Sequence, residues 1–113
     1  IGWIGEKLAA LYLVKKSYKI ISINEHASPY GELDLIMEKN GEIIFIEVKT
    51  ISKKQLGIPK LKINKQKLSK LEKAIELYVM KNEINLDIRL DVMTVFLRNG
   101  GPKIKHYKAI DIS

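Results

Sequence analysis

The chain has 113 residues, 46% hydrophobic and 29% charged, with a formal net charge of +7 and no cysteine. This is the length of one domain able to bury a core, with the composition of a globular protein in water. No apolar run nears the roughly 20 residues of a membrane helix, and the lack of cysteine excludes disulfides, thiolate chemistry and cysteine-ligated metals. A cytoplasmic protein without a secretory leader is expected, and because the chain does not open on Met its native start is expected upstream.

Residues from about Gly2 to Lys16 read as a helix. Ile4, Leu8 and Leu11 form one apolar stripe; Trp3, Ala10 and Leu13 form a second that includes Glu6. A helix apolar on two sides packs on two sides, which places Glu6 among apolar neighbours. Tyr18 to Ile23 is predicted as a strand and Asn24 to Tyr30 as a loop broken by Pro29.

Two strands follow, Gly31 to Glu38 and Ile43 to Thr50, joined through Asn40-Gly41. Asn-Gly between two apolar runs is a strong hairpin signal, because the two-residue turn needs positive φ at both positions. With that loop, partner positions sum to 81, so Asp34 faces Glu47 and Glu32 faces Lys49. Alternation puts all four on one face. Leu33, Leu35, Met37, Ile44, Ile46 and Val48 form the opposite, core face, while Ile36 and Phe45 make the charged face partly apolar and half covered.

Thr50 to Ile63 reads as a mobile basic connection containing Gly57 and Pro59. Asn64 is the N-cap of a second helix, Lys65 to about Lys81, whose core stripe is Leu68, Leu71, Ile75 and Tyr78. Ile88 to Leu97 is a strand, Asn99 to Pro102 a turn, and Lys103 to Ile110 a last strand. The order is helix, three strands, helix, two strands. The helix between the third and fourth strands has the length of a parallel crossover. The expected fold is α/β, a mixed sheet with a helix on each face, in one domain over residues 1–113.

The hairpin face carries the chemistry. Asp34 and Glu47 opposite one another stand about 4.5–5.5 Å apart at Cβ, where like charges repel. A divalent cation would relieve this, and hard oxygen donors suit Mg²⁺ or Mn²⁺. The Val48 carbonyl is a candidate third ligand. Lys49 is placed to reach the attacking water or the scissile phosphate. The plainer alternative is a solvated strand face with an ordinary Glu32–Lys49 ion pair. Beside the hairpin, Lys49 to Lys73 holds nine lysines against Glu72 alone, a net +8. Such a stripe is the footprint of a polyanion binder, or simply a lysine-rich surface.

The Asp34, Glu47 and Lys49 pattern resembles the active-site motif of the PD-(D/E)XK nuclease superfamily. Gly5-Glu6 and Ala9, Asn24, the run Gly31 to Ile36, Glu47-Val48-Lys49-Thr50, Lys65-Gln66 and Arg89-Leu90-Asp91-Val92 together resemble the YraN-like family over essentially the whole chain. The resemblance implies a restriction-endonuclease-like fold, similar to archaeal Holliday-junction resolvases, and a Mg²⁺- or Mn²⁺-dependent phosphodiesterase. It implies metal ligation by Asp34 and Glu47. Lys49 would handle the water, and Glu6 would complete the site. Nucleic-acid contacts are expected from Glu32, Lys53, Lys54, Lys60, Lys62, Lys65, Gln66 and Lys67. Phosphate would sit near the N-terminus of the second helix. Pairing of two copies across a DNA junction is also implied. Two positions depart from the family pattern: Ser17 stands where a glycine usually ends the first helix, and Ile51 where a basic residue usually follows Thr50.

Three functions follow: a metal-dependent nuclease on DNA, branched or otherwise structured; a non-catalytic nucleic-acid-binding or assembly module on the same fold; or an interaction protein whose charged face is only surface. His26 and His106 are expected to be structural or surface residues, and Arg89 with Asp91 an orienting pair beside the sheet.

Overall fold

The computed structural model describes residues 2–52 and 64–111. The elements are α1 (Gly2–Lys15), β1 (Lys19–His26), β2 (Glu32–Lys39), β3 (Glu42–Ser52), α2 (Lys65–Lys81), β4 (Asp87–Leu97) and β5 (Lys103–Tyr107). They build one five-stranded mixed sheet in the order β1-β2-β3-β4-β5. Neighbours are antiparallel except β3 and β4, which run parallel. The connection containing α2 makes that crossover.

Each element has a local cause. Between β2 and β3, Asn40 and Gly41 take φ of 51° and 80°, the two positive values a tight hairpin turn needs. The ladder they set runs from Lys39↔Glu42 to Leu35↔Ile46, with every pair summing to 81. α1 ends in a Schellman-type cap: Tyr18 N–H donates to Leu13 O at 3.0 Å and Ser17 N–H to Val14 O at 3.0 Å. Ser17 therefore adopts φ of 73° without glycine's freedom. α2 starts on Asn64, whose Oδ1 accepts Gln66 N–H at 2.8 Å and Lys67 N–H at 3.2 Å.

The sheet is buried on both faces. Ala9, Ala10 and Leu13 of α1 pack on Leu35, Met37, Ile44, Ile46, Met93 and Val95. Ala74 and Ile75 of α2 pack on Ile36, Ile43, Phe45 and Leu90. Alternation along β2 and β3 produces this division; the face of Ile36 and Phe45, expected to be half covered, is fully buried at those two residues, under α2. Leu33 departs from the expected face and joins the α2 cluster with Ala27. β1 also runs further than predicted. Asn24, Glu25 and His26 are strand rather than loop; Glu25 and His26 pair with Leu33 and Glu32. Asn24 accommodates a φ of 56° inside that strand, a conformation asparagine tolerates better than most residues. β5 ends at Tyr107, three residues earlier than predicted.

Candidate active site

The β2–β3 ladder stops at Leu35↔Ile46. Beyond it β2 stays with β1, through Glu25↔Leu33 and His26↔Glu32, while β3 continues along β4 to Ser52↔Leu97. The two strands of the hairpin therefore part where Asp34 and Glu47 stand. Asp34 closes the gap with its side chain: Val48 N–H donates to Asp34 Oδ2 at 2.8 Å. The predicted opposition of Glu32 and Lys49 does not form, because the ladder has ended before it. Glu32 instead meets His26, with Nδ1 and Oε2 3.3 Å apart on an exposed surface.

Three carboxyl groups gather at this split. Asp34 is within hydrogen-bonding reach of Glu47, and Glu6 of α1 reaches both Asp34 and the Asn24 side chain. Burial pushes the Asp34 carboxyl up to about 7, with the negative Glu47 adding to the rise; the Val48 N–H offsets only part of it. Glu6 is raised as well, first by burial, although its bond to Asn24 pulls the other way. Gly5 makes the approach of α1 feasible, since a Cβ there would overlap Thr50 Oγ1 on β3. Lys49 lies two residues past Glu47, partly buried and opposite Thr94 of β4.

The described part of the basic stripe divides in two. Lys65 and Gln66 are exposed at the start of α2. The backbone N–H groups of Gln66 and Lys67 are already taken by Asn64, so the expected phosphate cradle at this helix end is partly filled by its own cap. Lys67, also exposed, reaches back to the site, with its Nζ 3.0 Å from Glu47 Oε1. Sequence reasoning placed Lys67 on the nucleic-acid surface and missed this contact. Its place in the first turn of an Asn64-capped helix was legible, but its partner on β3 was not. Lys53, Lys54, Lys60 and Lys62 lie outside the described residues.

Arg89 and Asp91 form the expected orienting pair. Asp91 is fully buried and receives Arg89 Nε at 2.9 Å and Nη2 at 2.8 Å, and Ala109 N–H at 2.9 Å; His106 Nε2 stands 2.7 Å away. Burial alone would raise its carboxyl, but His106, Arg89 and the Ala109 N–H outweigh it and hold it down at about 2. Arg89 also reaches Tyr18 Oη at 3.2 Å. With every partner satisfied, this cluster ties the end of β5 to β4 and lies apart from the carboxyl triplet.

Among the described residues, no group of three or more His, Asp or Glu side chains is placed to hold a metal ion. Asp34 and Glu47 are nevertheless a pair of hard donors, close enough to hold a proton between them. That pair fits a cation which takes two protein carboxylates and completes its shell from water and substrate oxygens.

Fold and site together define a mixed α/β protein with paired acidic groups, backed by a lysine, where two sheet strands separate. Comparison with known sequences gives the family. A sequence model described as "Uncharacterised protein family UPF0102" matches residues 5–95. The chain is 41% identical over 107 residues to a UPF0102 protein of Syntrophomonas wolfei, covering 94% of this chain and 92% of the relative. It is 38% identical over 109 residues to a UPF0102 protein of Alkaliphilus oremlandii, covering 94% and 92%. A UPF0102 protein of Aliarcobacter butzleri is 36% identical over 94 residues, covering 83% and 84%. The chain belongs to the UPF0102, or YraN-like, family.

Proposed function

We propose that this protein is a divalent-metal-dependent nuclease of restriction-endonuclease-like fold that hydrolyses DNA phosphodiester bonds, with branched or structured DNA as its substrate class. The observation that carries the reading is the meeting of Asp34 and Glu47 where β2 and β3 part, with the Asp34 carboxyl raised by burial and by the negative Glu47 beside it. Asp34 and Glu47, with the Val48 carbonyl, would hold Mg²⁺ or Mn²⁺. The ion would supply Lewis-acid stabilisation of charge developing on the phosphate. Lys49 orients or deprotonates the attacking water from the same strand face. Glu6, itself held by the Asn24 side chain, orients Asp34. Lys65 and Gln66, exposed beside the site, contact the backbone of the bound strand.

The test is cleavage of linear, nicked and four-way-junction DNA with Mg²⁺ or Mn²⁺. Wild type cuts at least one, and Asp34→Ala and Lys49→Ala lose the activity. No cutting by wild type, or undiminished cutting by both variants, refutes the reading. One contact favours the alternative of a non-catalytic nucleic-acid-binding module: Lys67 already neutralises Glu47 at 3.0 Å. In that case DNA affinity falls steeply with salt, and Asp34→Ala leaves it intact or improves it.

A further inference from the structure

Lys67 is anchored at one end and loose at the other. Its backbone N–H is bound to Asn64 Oδ1, which fixes where the side chain leaves the first turn of α2. Its ammonium stands 3.0 Å from Glu47 Oε1. The partners differ in freedom: the Glu47 side chain is 13% exposed and that of Lys67 56%. The carboxylate is thus held in the sheet, while the cation rides on a flexible, largely solvated stem. Among the described residues no other cation is paired with Asp34 or Glu47.

We infer that Lys67 is a tethered counter-ion that a divalent cation displaces from Glu47, and that the released ammonium then takes a backbone phosphate of the bound nucleic acid. The inference rests on the proposed reading of Asp34 and Glu47 as metal ligands. A divalent ion on those oxygens and an ammonium 3 Å from one of them repel each other and compete for the same lone pairs. Lys67 is the partner that can leave, because more than half of its side chain is already in water. A half-solvated ion pair is weak, so the displacement lowers metal affinity only a few-fold. A freed lysine is a point charge suited to a phosphate. Lys67 would thereby couple metal binding to the grip on the strand to be cut.

Calorimetric titration with Mn²⁺, in the absence of nucleic acid, tests the displacement. Wild type, Lys67→Met, Lys67→Arg, Lys70→Met and Asp34→Ala are compared. Lys67→Met binds Mn²⁺ about two- to fivefold more tightly than wild type. Lys67→Arg, which keeps the charge, stays near wild type. So does Lys70→Met, which removes an exposed lysine of the same helix. Equal affinity of Lys67→Met and wild type overturns the inference. An equal gain in Lys70→Met does the same, because it would mark a general field effect. If wild type takes up no Mn²⁺, or Asp34→Ala takes up as much, the ligand reading itself has failed.

Release onto phosphate is read separately, from the salt dependence of binding to a fluorescent DNA duplex with and without Ca²⁺. Lys67→Met lowers the logarithmic salt slope by about 0.9, the loss of one phosphate contact, with Ca²⁺ only. An unchanged slope with Ca²⁺ overturns this second half. All these positions lie on the surface of α2 or in the site, and thermal melts check that each variant folds before it is titrated.

Discussion

Replacing Asp34 by Asn tests the crowding of the carboxyl triplet without touching its packing. The amide is isosteric, and its oxygen can still accept the Val48 N–H that Asp34 Oδ2 receives at 2.8 Å. In the wild type the folded carboxyl titrates at about 7 against an ordinary value of 3.8. A carboxyl with a raised folded pKa binds its proton more tightly folded than unfolded. Its contribution to stability is therefore complete below about 4 and is lost as pH rises through about 7. At 1.36 kcal/mol per unit the ceiling is about 4 kcal/mol. Partial solvation and the neighbouring Lys67 reduce it to about 1–3 kcal/mol. Urea unfolding in EDTA, followed by circular dichroism, is run at pH 4.5 and pH 8. The stability difference moves in favour of Asp34→Asn by about 1–3 kcal/mol between the two. A difference that stays constant, or moves toward wild type, refutes the argument that burial and the neighbouring Glu47 hold the Asp34 carboxyl well above its ordinary range.

Four further outcomes follow from the same structure. At pH 8, millimolar Mn²⁺ raises the melting temperature of wild type but not of Asp34→Asn, because a ligand that binds only the folded state stabilises it by mass action. Ser17→Gly relieves the positive φ that ends α1 and stabilises by about 0.5–1 kcal/mol, seen as a rise of several degrees in a thermal melt. Gly5→Ala forces α1 away from Thr50 and costs about 1–3 kcal/mol, read by urea unfolding. Asp91→Asn weakens a buried charge cluster and costs about 3 kcal/mol at pH 7. Because the Asp91 carboxyl is depressed to about 2, its contribution is present above about 4 and is lost as pH falls toward 2; the penalty of the variant shrinks over that range in acid unfolding curves.

The hairpin register was legible because Asn40-Gly41 specifies its own turn, and a two-residue loop leaves one pairing. The end of that pairing was not. Nothing in the alternation of β2 and β3 marks where they part, since the strands are separated by their other neighbours, β1 and β4. The parting is what misplaced Glu32, which meets His26 and not Lys49. Asn24 looked like a loop residue by composition, yet β1 carries it at positive φ, where its side chain reaches Glu6. Lys67 was legible only as one charge in a stripe. Its contact with Glu47 depends on the path of the crossover, which no local pattern encodes. The two apolar stripes of α1 wrongly predicted packing on two sides, since Trp3, Ile4 and Leu11 are exposed and only the side with Ala9, Ala10 and Leu13 is buried; Glu6 is partly covered because Gly5 closes on Thr50.

A crystal structure of the protein grown with Mn²⁺ tests the central claim most directly. The account predicts an anomalous peak bridging the Asp34 and Glu47 carboxylates, with the Lys67 ammonium withdrawn from Glu47. An empty site with Lys67 still on Glu47 at saturating Mn²⁺ would contradict it, as would a peak bound elsewhere.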